Sequence, residues 1–100
     1  MKTLHFVKND SRDDVAVIEL VTAQISLGDD VAMLKRREMI QKFKDNKNGK
    51  CELDDSDFEQ LFRWMTSPQA FKVMLGDFCL DTITMLRQAK DTKDAKQDDK

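Results

Sequence analysis

The fold prediction starts from a stretch in the middle of the chain, which reads Leu53-Asp54-Asp55-Ser56-Asp57-Phe58-Glu59-Gln60-Leu61-Phe62-Arg63-Trp64-Met65. Its large apolar residues at positions 58, 61, 62 and 65 recur at intervals of three and four, the period of one face of an α-helix. Asp54 and Asp57 have the spacing of a capping box, and Leu53 stands where a hydrophobic staple begins. The stretch therefore predicts an amphipathic helix that starts near Asp54.

Four further helices are predicted from capping residues and helix breakers. These capping and breaking residues are Ser11, Asp14, Gly28, Asp29, Asp30, Ser67, Pro68, Gly76 and Asp77. Ser11 and Asp14 have the spacing of a second capping box, and Gly28 suits the left-handed position after a helix end. These signals predict a first helix over about residues 12–27 and a second over about residues 30–44. The remaining signals predict two short helices between residues 68 and 89.

The composition favours helices throughout, because 100 residues contain only three Gly, one Pro and no Tyr. We therefore predict an all-α fold, a small single-domain bundle of about five helices over residues 11–90. Residues 1–10 are expected to form an extended N-terminal arm. Residues 91–100 contain one apolar residue, Ala95, and are expected to form a disordered charged tail.

Several function classes are disfavoured by charge and residue usage. The net charge is −2 and basic residues alternate with acidic ones, which argues against direct nucleic-acid binding. His5 is the only histidine, and Cys51 and Cys79 form no CxxC pair, so no metal-ligand or nucleophilic set assembles. No segment is apolar enough for a membrane span. We expect a cytoplasmic protein that is not an enzyme and has no cofactor.

The polar turn around Gly49 suggests an EF-hand loop, but its ligand positions are wrong. If Gly49 takes the sixth position of such a loop, Asn46 and Asn48 take the third and fifth. Lys44 then stands at the first ligand position, and Asp55 replaces the bidentate glutamate at the twelfth. The turn is therefore predicted to bind no calcium.

The first predicted helix is unusually apolar. Glu19 is the only charged residue between Val15 and Leu27, and apolar side chains cover most of the circumference. A surface helix of a small domain needs only one apolar stripe. Either this helix is central and wrapped by the others, or one face packs on the body and the other binds a partner. The sequence is compatible with both interpretations.

The order of elements resembles the AsiA-type anti-sigma factors of T-even-like bacteriophages over about residues 17–87. The resemblance rests on the nearly uncharged first helix, and on Met39-Ile40-x-x-Phe43 at the end of the second. It also rests on a turn-to-helix segment, Gly49-Lys50-Cys51-Glu52-Leu53 followed by Ser56-Asp57-Phe58-Glu59-Gln60-Leu61.

This resemblance implies a helical protein that binds the C-terminal (region 4) domain of the bacterial primary sigma factor within RNA polymerase. Such a protein inhibits host promoter recognition and, with a phage activator, co-activates phage transcription in the cytoplasm of the bacterial host. It implies a homodimer through the first helix when the protein is free. Gln24 stands where the family pattern is apolar. The partner-binding residues that the resemblance implies are Val17, Leu20, Ala23, Gln24, Leu27 and Arg36.

Two other classes of function remain as alternatives at this stage. One is a small helical regulator that binds DNA or neutralises a toxin. The other is a degenerate EF-hand-like module.

Overall fold

A computed structural model describes residues 1–46, 48–74 and 76–91 of the chain. Its helices are α1 (Asp14–Ala23), α2 (Asp30–Lys44), α3 (Asp55–Met65), α4 (Pro68–Val73) and α5 (Asp77–Arg87). Its strands are β1 (Lys2–His5), β2 (Lys8–Asn9), β3 (Arg12–Asp13), β4 (Lys50–Leu53) and β5 (Lys90–Asp91).

The prediction of an all-α fold is wrong, because the structure is mixed α/β with 59% helix and 16% strand. A three-stranded antiparallel sheet has the order β4-β1-β5, and β2 and β3 form a separate two-stranded hairpin. The strands are only two to four residues long, so hardly any period-two alternation is available to reveal them. The pairing of β1 with β4 and β5 also joins segments that are far apart in the chain, which local signals do not show.

The segment predicted to be an N-terminal arm forms the centre of the larger sheet. Lys2 pairs with Leu53 of β4 on one side and with Asp91 of β5 on the other. Leu4 points into the core and is fully buried. Of the predicted C-terminal tail, Asp91 lies in β5 and residues 92–100 lie outside the described residues.

Local capping signals set some helix ends and not others. α2 has its predicted bounds, and the Asp29 carboxylate caps it by accepting a hydrogen bond from the Ala32 amide at 2.8 Å. α1 is shorter than predicted and ends at Ala23. Its cap is Asp13, which accepts from the Ala16 amide, so the predicted Ser11–Asp14 capping box is wrong. Arg12 and Asp13 pair with β2 as strand β3, so the helix cap is Asp13, two residues after the predicted cap Ser11.

The hydrophobic core lies between the larger sheet and the helices, with α1 in the middle. α1 packs against all four other helices. Its inward face carries Val17, Ile18 and Val21, which are buried together with Leu4 of β1 and Phe43 of α2. This arrangement makes α1 a central helix, and its outer side is therefore the place to look for a binding function.

Candidate protein-docking surface

The outer side of α1 exposes part of the partner-binding set predicted from the sequence. Leu20 has 61% of its surface exposed, which is high for a leucine in a small domain, and Ala23 and Gln24 are exposed beside it. Val17, three residues before Leu20, is buried in the core, where no partner reaches it. Leu27 is half-buried and packs against the core from the loop after α1.

A groove of about 730 Å³ lies between the C-terminal part of α1 and the N-terminal part of α2. It includes three residues of the predicted set, and they are Ala23, Leu27 and Arg36. It also includes two large apolar residues of α2 that the sequence analysis did not single out. These are Met33, which is 62% exposed, and Leu34, which is 54% exposed.

Met33 and Leu34 lie near the start of α2 and are exposed, whereas the buried residues of this helix, Met39, Ile40 and Phe43, lie further along it. Two adjacent apolar residues near the start of an otherwise charged helix are the sequence signal that would have found them. Packing in the core does not account for these two apolar side chains, because both are exposed to solvent.

Leu20 and the groove form one continuous surface. Leu20 and Ala23 are three residues apart on α1 and are therefore neighbours on its surface, and Ala23 lines the groove together with Met33 and Leu34. We refer to Leu20, Ala23, Leu27, Met33 and Leu34 as the α1–α2 face. Gln24 lies next to it, with its amide nitrogen donating to the Leu20 carbonyl oxygen at 2.9 Å.

Arg36 holds α2 against α1. Its Nε donates to the Thr22 hydroxyl oxygen at 2.7 Å, and its Nη2 donates to the Glu19 carbonyl oxygen at 2.9 Å. The Thr22 hydroxyl in turn donates to the Ile18 carbonyl oxygen. Two of its five N–H donors are used within the chain, and Arg36 therefore has a structural role beneath the α1–α2 face.

The rim of the groove is charged at both ends. Asp29 and Asp30 lie at the N-terminus of α2, and Arg37 lies about two turns further along the helix. The apolar floor between them is formed by Ile25, Leu27 and Met33 among others. An apolar floor with a charged rim is the usual composition of a protein-binding surface.

The turn predicted to bind no calcium connects α2 to β4. The Asn46 side-chain oxygen accepts from the Asn48 amide at 2.9 Å, and the Gly49 carbonyl accepts from the Phe6 amide at 2.6 Å. Within residues 1–46, 48–74 and 76–91, no cluster of three or more His, Cys, Asp or Glu side chains is placed to hold a metal ion. None of the helices over the same ranges is long and apolar enough to cross a membrane.

No protein-family model, curated protein or solved structure matches this chain. The functional proposal therefore depends on the surface of the chain itself and on the resemblance described above.

Proposed function

We propose that this protein acts by docking its α1–α2 face onto an amphipathic helix of another protein. The observation that carries the proposal is the exposure of Leu20, Met33 and Leu34 along one surface of a 100-residue chain. Removing this apolar surface from water stabilises a complex by about 25 cal/mol per Å² before association costs. A groove between two helices receives the apolar side chains of a partner helix at intervals of three and four residues.

The partner we propose is the region 4 domain of the bacterial primary sigma factor, as the resemblance to AsiA-type anti-sigma factors implies. The exposed positions of Leu20, Ala23 and Gln24 are compatible with this contact, since they are the members of the predicted set that face solvent. The resemblance also implied an all-helical fold, whereas this chain places β1 at the centre of a sheet. The proposal of sigma as the partner is therefore supported by the resemblance of the first two helices and not by the whole fold.

Binding at this position would inhibit host promoter recognition and, with a phage activator, redirect RNA polymerase in the cytoplasm of the bacterial host. A homodimer through the first helix, which the resemblance also implies, would compete with sigma for the apolar residues of α1. The complex would then contain one copy of each protein.

The direct test uses the full-length chain and purified RNA polymerase carrying the primary sigma factor. We expect co-elution with holoenzyme and with free sigma factor, and none with the core enzyme that lacks sigma. In transcription in vitro, promoters that need the upstream element should be repressed, and promoters with an extended downstream element should be largely spared. Equal repression of both promoter classes, or binding to the core enzyme alone, would rule out sigma as the partner.

A further inference from the structure

β4 is an edge strand whose outer side is open. The sheet order β4-β1-β5 leaves one side of β4 without a neighbouring strand in the part of the chain that the structure describes. A groove of about 730 Å³ runs between this edge and the solvent side of α2, and it is lined by Lys50, Cys51 and Glu52 of the strand. An edge with unpaired main-chain groups is a site where another strand can add.

The hydrogen bonds to β1 determine which residues of β4 point outward. β1 and β4 pair Leu4 with Cys51, and continuing this register pairs Phe6 with Gly49. The Phe6 amide donates to the Gly49 carbonyl oxygen, so Gly49 turns its main chain toward β1. The main-chain N–H and C=O groups point alternately to the two sides along an antiparallel strand, so those of Cys51 also point toward β1. Lys50 and Glu52 therefore point their N–H and C=O groups to the open side.

This alternation restricts how a second β4 strand can add about a two-fold axis. Outward-pointing residues must pair with outward-pointing residues, so the axis has to pass through one residue, Lys50, Cys51 or Glu52. An axis at Lys50 places two ammonium groups opposite each other, and an axis at Glu52 places two carboxylates opposite each other. Only an axis at Cys51 places Lys50 opposite Glu52 of the second copy, and it does so twice.

We propose that two copies of this chain pair through β4, antiparallel, with Cys51 on the two-fold axis. Each Lys50–Glu52 pair would exchange both of its main-chain hydrogen bonds and bring opposite charges together on the exposed face of the sheet. The two sheets would join into one continuous sheet. We infer that the strand added to β4 comes from a second copy of this chain, because Lys50 and Glu52 of one copy lie opposite Glu52 and Lys50 of the other.

This surface is separate from the proposed docking groove. Among the described residues, Arg37 is the only residue that lines both grooves. The contact consists mainly of one four-residue strand, so the association should depend on concentration rather than be permanent.

The central test exchanges the charges of β4 and measures sedimentation of the full-length protein over a concentration series under reducing conditions. Lys50→Glu places like charges opposite each other at both pairs and should weaken dimerisation by about tenfold. The double variant Lys50→Glu/Glu52→Lys restores opposite charges and should restore the dimer. Every protein in the series also carries Leu20→Asp, because this substitution removes the homodimer contact proposed for the first helix and lies outside β4. Circular dichroism confirms that each variant is folded.

The register is tested by cross-linking Cys51. At a two-fold axis, Cys51 of each copy forms a non-hydrogen-bonded pair with Cα atoms about 4.5 Å apart, within the range of a disulfide. Added diamide accepts two electrons and two protons from the two thiols, and a disulfide-linked dimer should appear on a non-reducing gel. Cys79→Ser should still form this dimer, and Cys51→Ser should not.

Three results would overturn the proposal. One is a wild-type protein that stays monomeric at every concentration. Another is a Leu20→Asp protein that stays monomeric, or a dimer of it that ignores the charge exchange, since either result places the contact outside β4. The third is a dimer in which Cys51 does not cross-link. Loss of sigma binding has no bearing on these measurements, so this proposal and the proposed function fail independently.

Discussion

The hydroxyl of Thr82 in α5 donates a hydrogen bond to the Asp14 carboxylate at the start of α1, at 2.7 Å. The same carboxylate accepts from the Val7 amide at 2.7 Å and from the Arg12 Nε at 2.9 Å. Asp14 is fully buried, and a buried carboxylate is stable only when it is paired and hydrogen-bonded. This one side chain therefore joins the N-terminal segment, the β2–β3 hairpin and α5 to α1.

Asp14→Ala should destabilise the protein severely, because it removes the buried carboxylate that accepts from Arg12, Thr82 and Val7. We expect a loss of about 3–5 kcal/mol in the free energy of unfolding, measured by urea denaturation. Asp10→Ala is the matched control, since Asp10 is exposed in the turn of the β2–β3 hairpin, and it should change stability by less than about 0.5 kcal/mol. Similar losses in both variants would contradict the role given to Asp14.

Gly49→Ala should weaken the pairing of β1 with β4. Gly49 has φ of 75°, and a Cβ atom there would lie 2.9 Å from the Phe6 carbonyl oxygen. The combination of backbone strain and a main-chain clash should cost about 1–3 kcal/mol of stability. Gly28→Ala provides the comparison, because its φ is 102° but a Cβ there meets nothing within 4 Å. A smaller shift of the urea midpoint for Gly28→Ala than for Gly49→Ala is the expected result.

Arg36→Ala should act on stability, because Arg36 joins α2 to the Glu19 carbonyl and the Thr22 hydroxyl. Loss of these partly buried hydrogen bonds should cost about 1–3 kcal/mol in the free energy of unfolding. Arg37→Ala is the control on the same helix, where the side chain is exposed, and a change below about 0.5 kcal/mol is expected. If the two variants had equal free energies of unfolding, the Arg36 hydrogen bonds would not contribute to stability in solution.

Leu20→Asp should abolish partner binding and leave the thermal midpoint nearly unchanged, because Leu20 is on the surface of α1 and not in the core. Burying an unpaired carboxylate in a docked interface is costly. Leu80→Asp introduces the same charge at a leucine of similar exposure, 57%, on α5, and binding should persist. The measurement is calorimetric titration with the sigma factor. If both substitutions weakened binding equally, the α1–α2 face would not be the contact surface.

Stability should fall at alkaline pH through the Cys51 thiol. Burial raises the pKa of Cys51 above its ordinary value of 9.0, because the thiolate is poorly solvated in β4. The folded state therefore favours the protonated thiol. Its contribution to stability is complete below pH 9.0 and is lost as pH rises through the higher pKa of the folded state. In Cys51→Ser the urea midpoint should depend less on pH over this range, and an unchanged dependence would assign the effect to another group.

Sequence patterns determined those helices whose start signals are local. The capping signal at Asp29 and Asp30 predicted α2, and the helix has the predicted bounds. Ser67 followed by Pro68 marked the start of α4, where the Ser67 hydroxyl oxygen accepts from the Ala70 amide. Capping hydrogen bonds join residues that are three positions apart, so nearby residue types carry their signal. The signal is not sufficient by itself, since Asp13 and not Ser11 caps α1, and Asp54 makes no side-chain capping bond to α3.

Only the tertiary structure decided the sheet and the exposed residues of α1. β1 pairs with segments about fifty and ninety residues away, and the residues of a four-residue strand do not indicate which strand it pairs with. Val17 and Leu20 are both apolar residues of one helix, yet the packing of four other helices buries Val17 and leaves Leu20 in solvent. Ser11 and Asp14 had the spacing of a capping box, but the Asp14 carboxylate accepts a hydrogen bond from Thr82, which is 68 residues away. Each of these outcomes depends on which distant groups are desolvated together, and that free energy is a property of the assembled core.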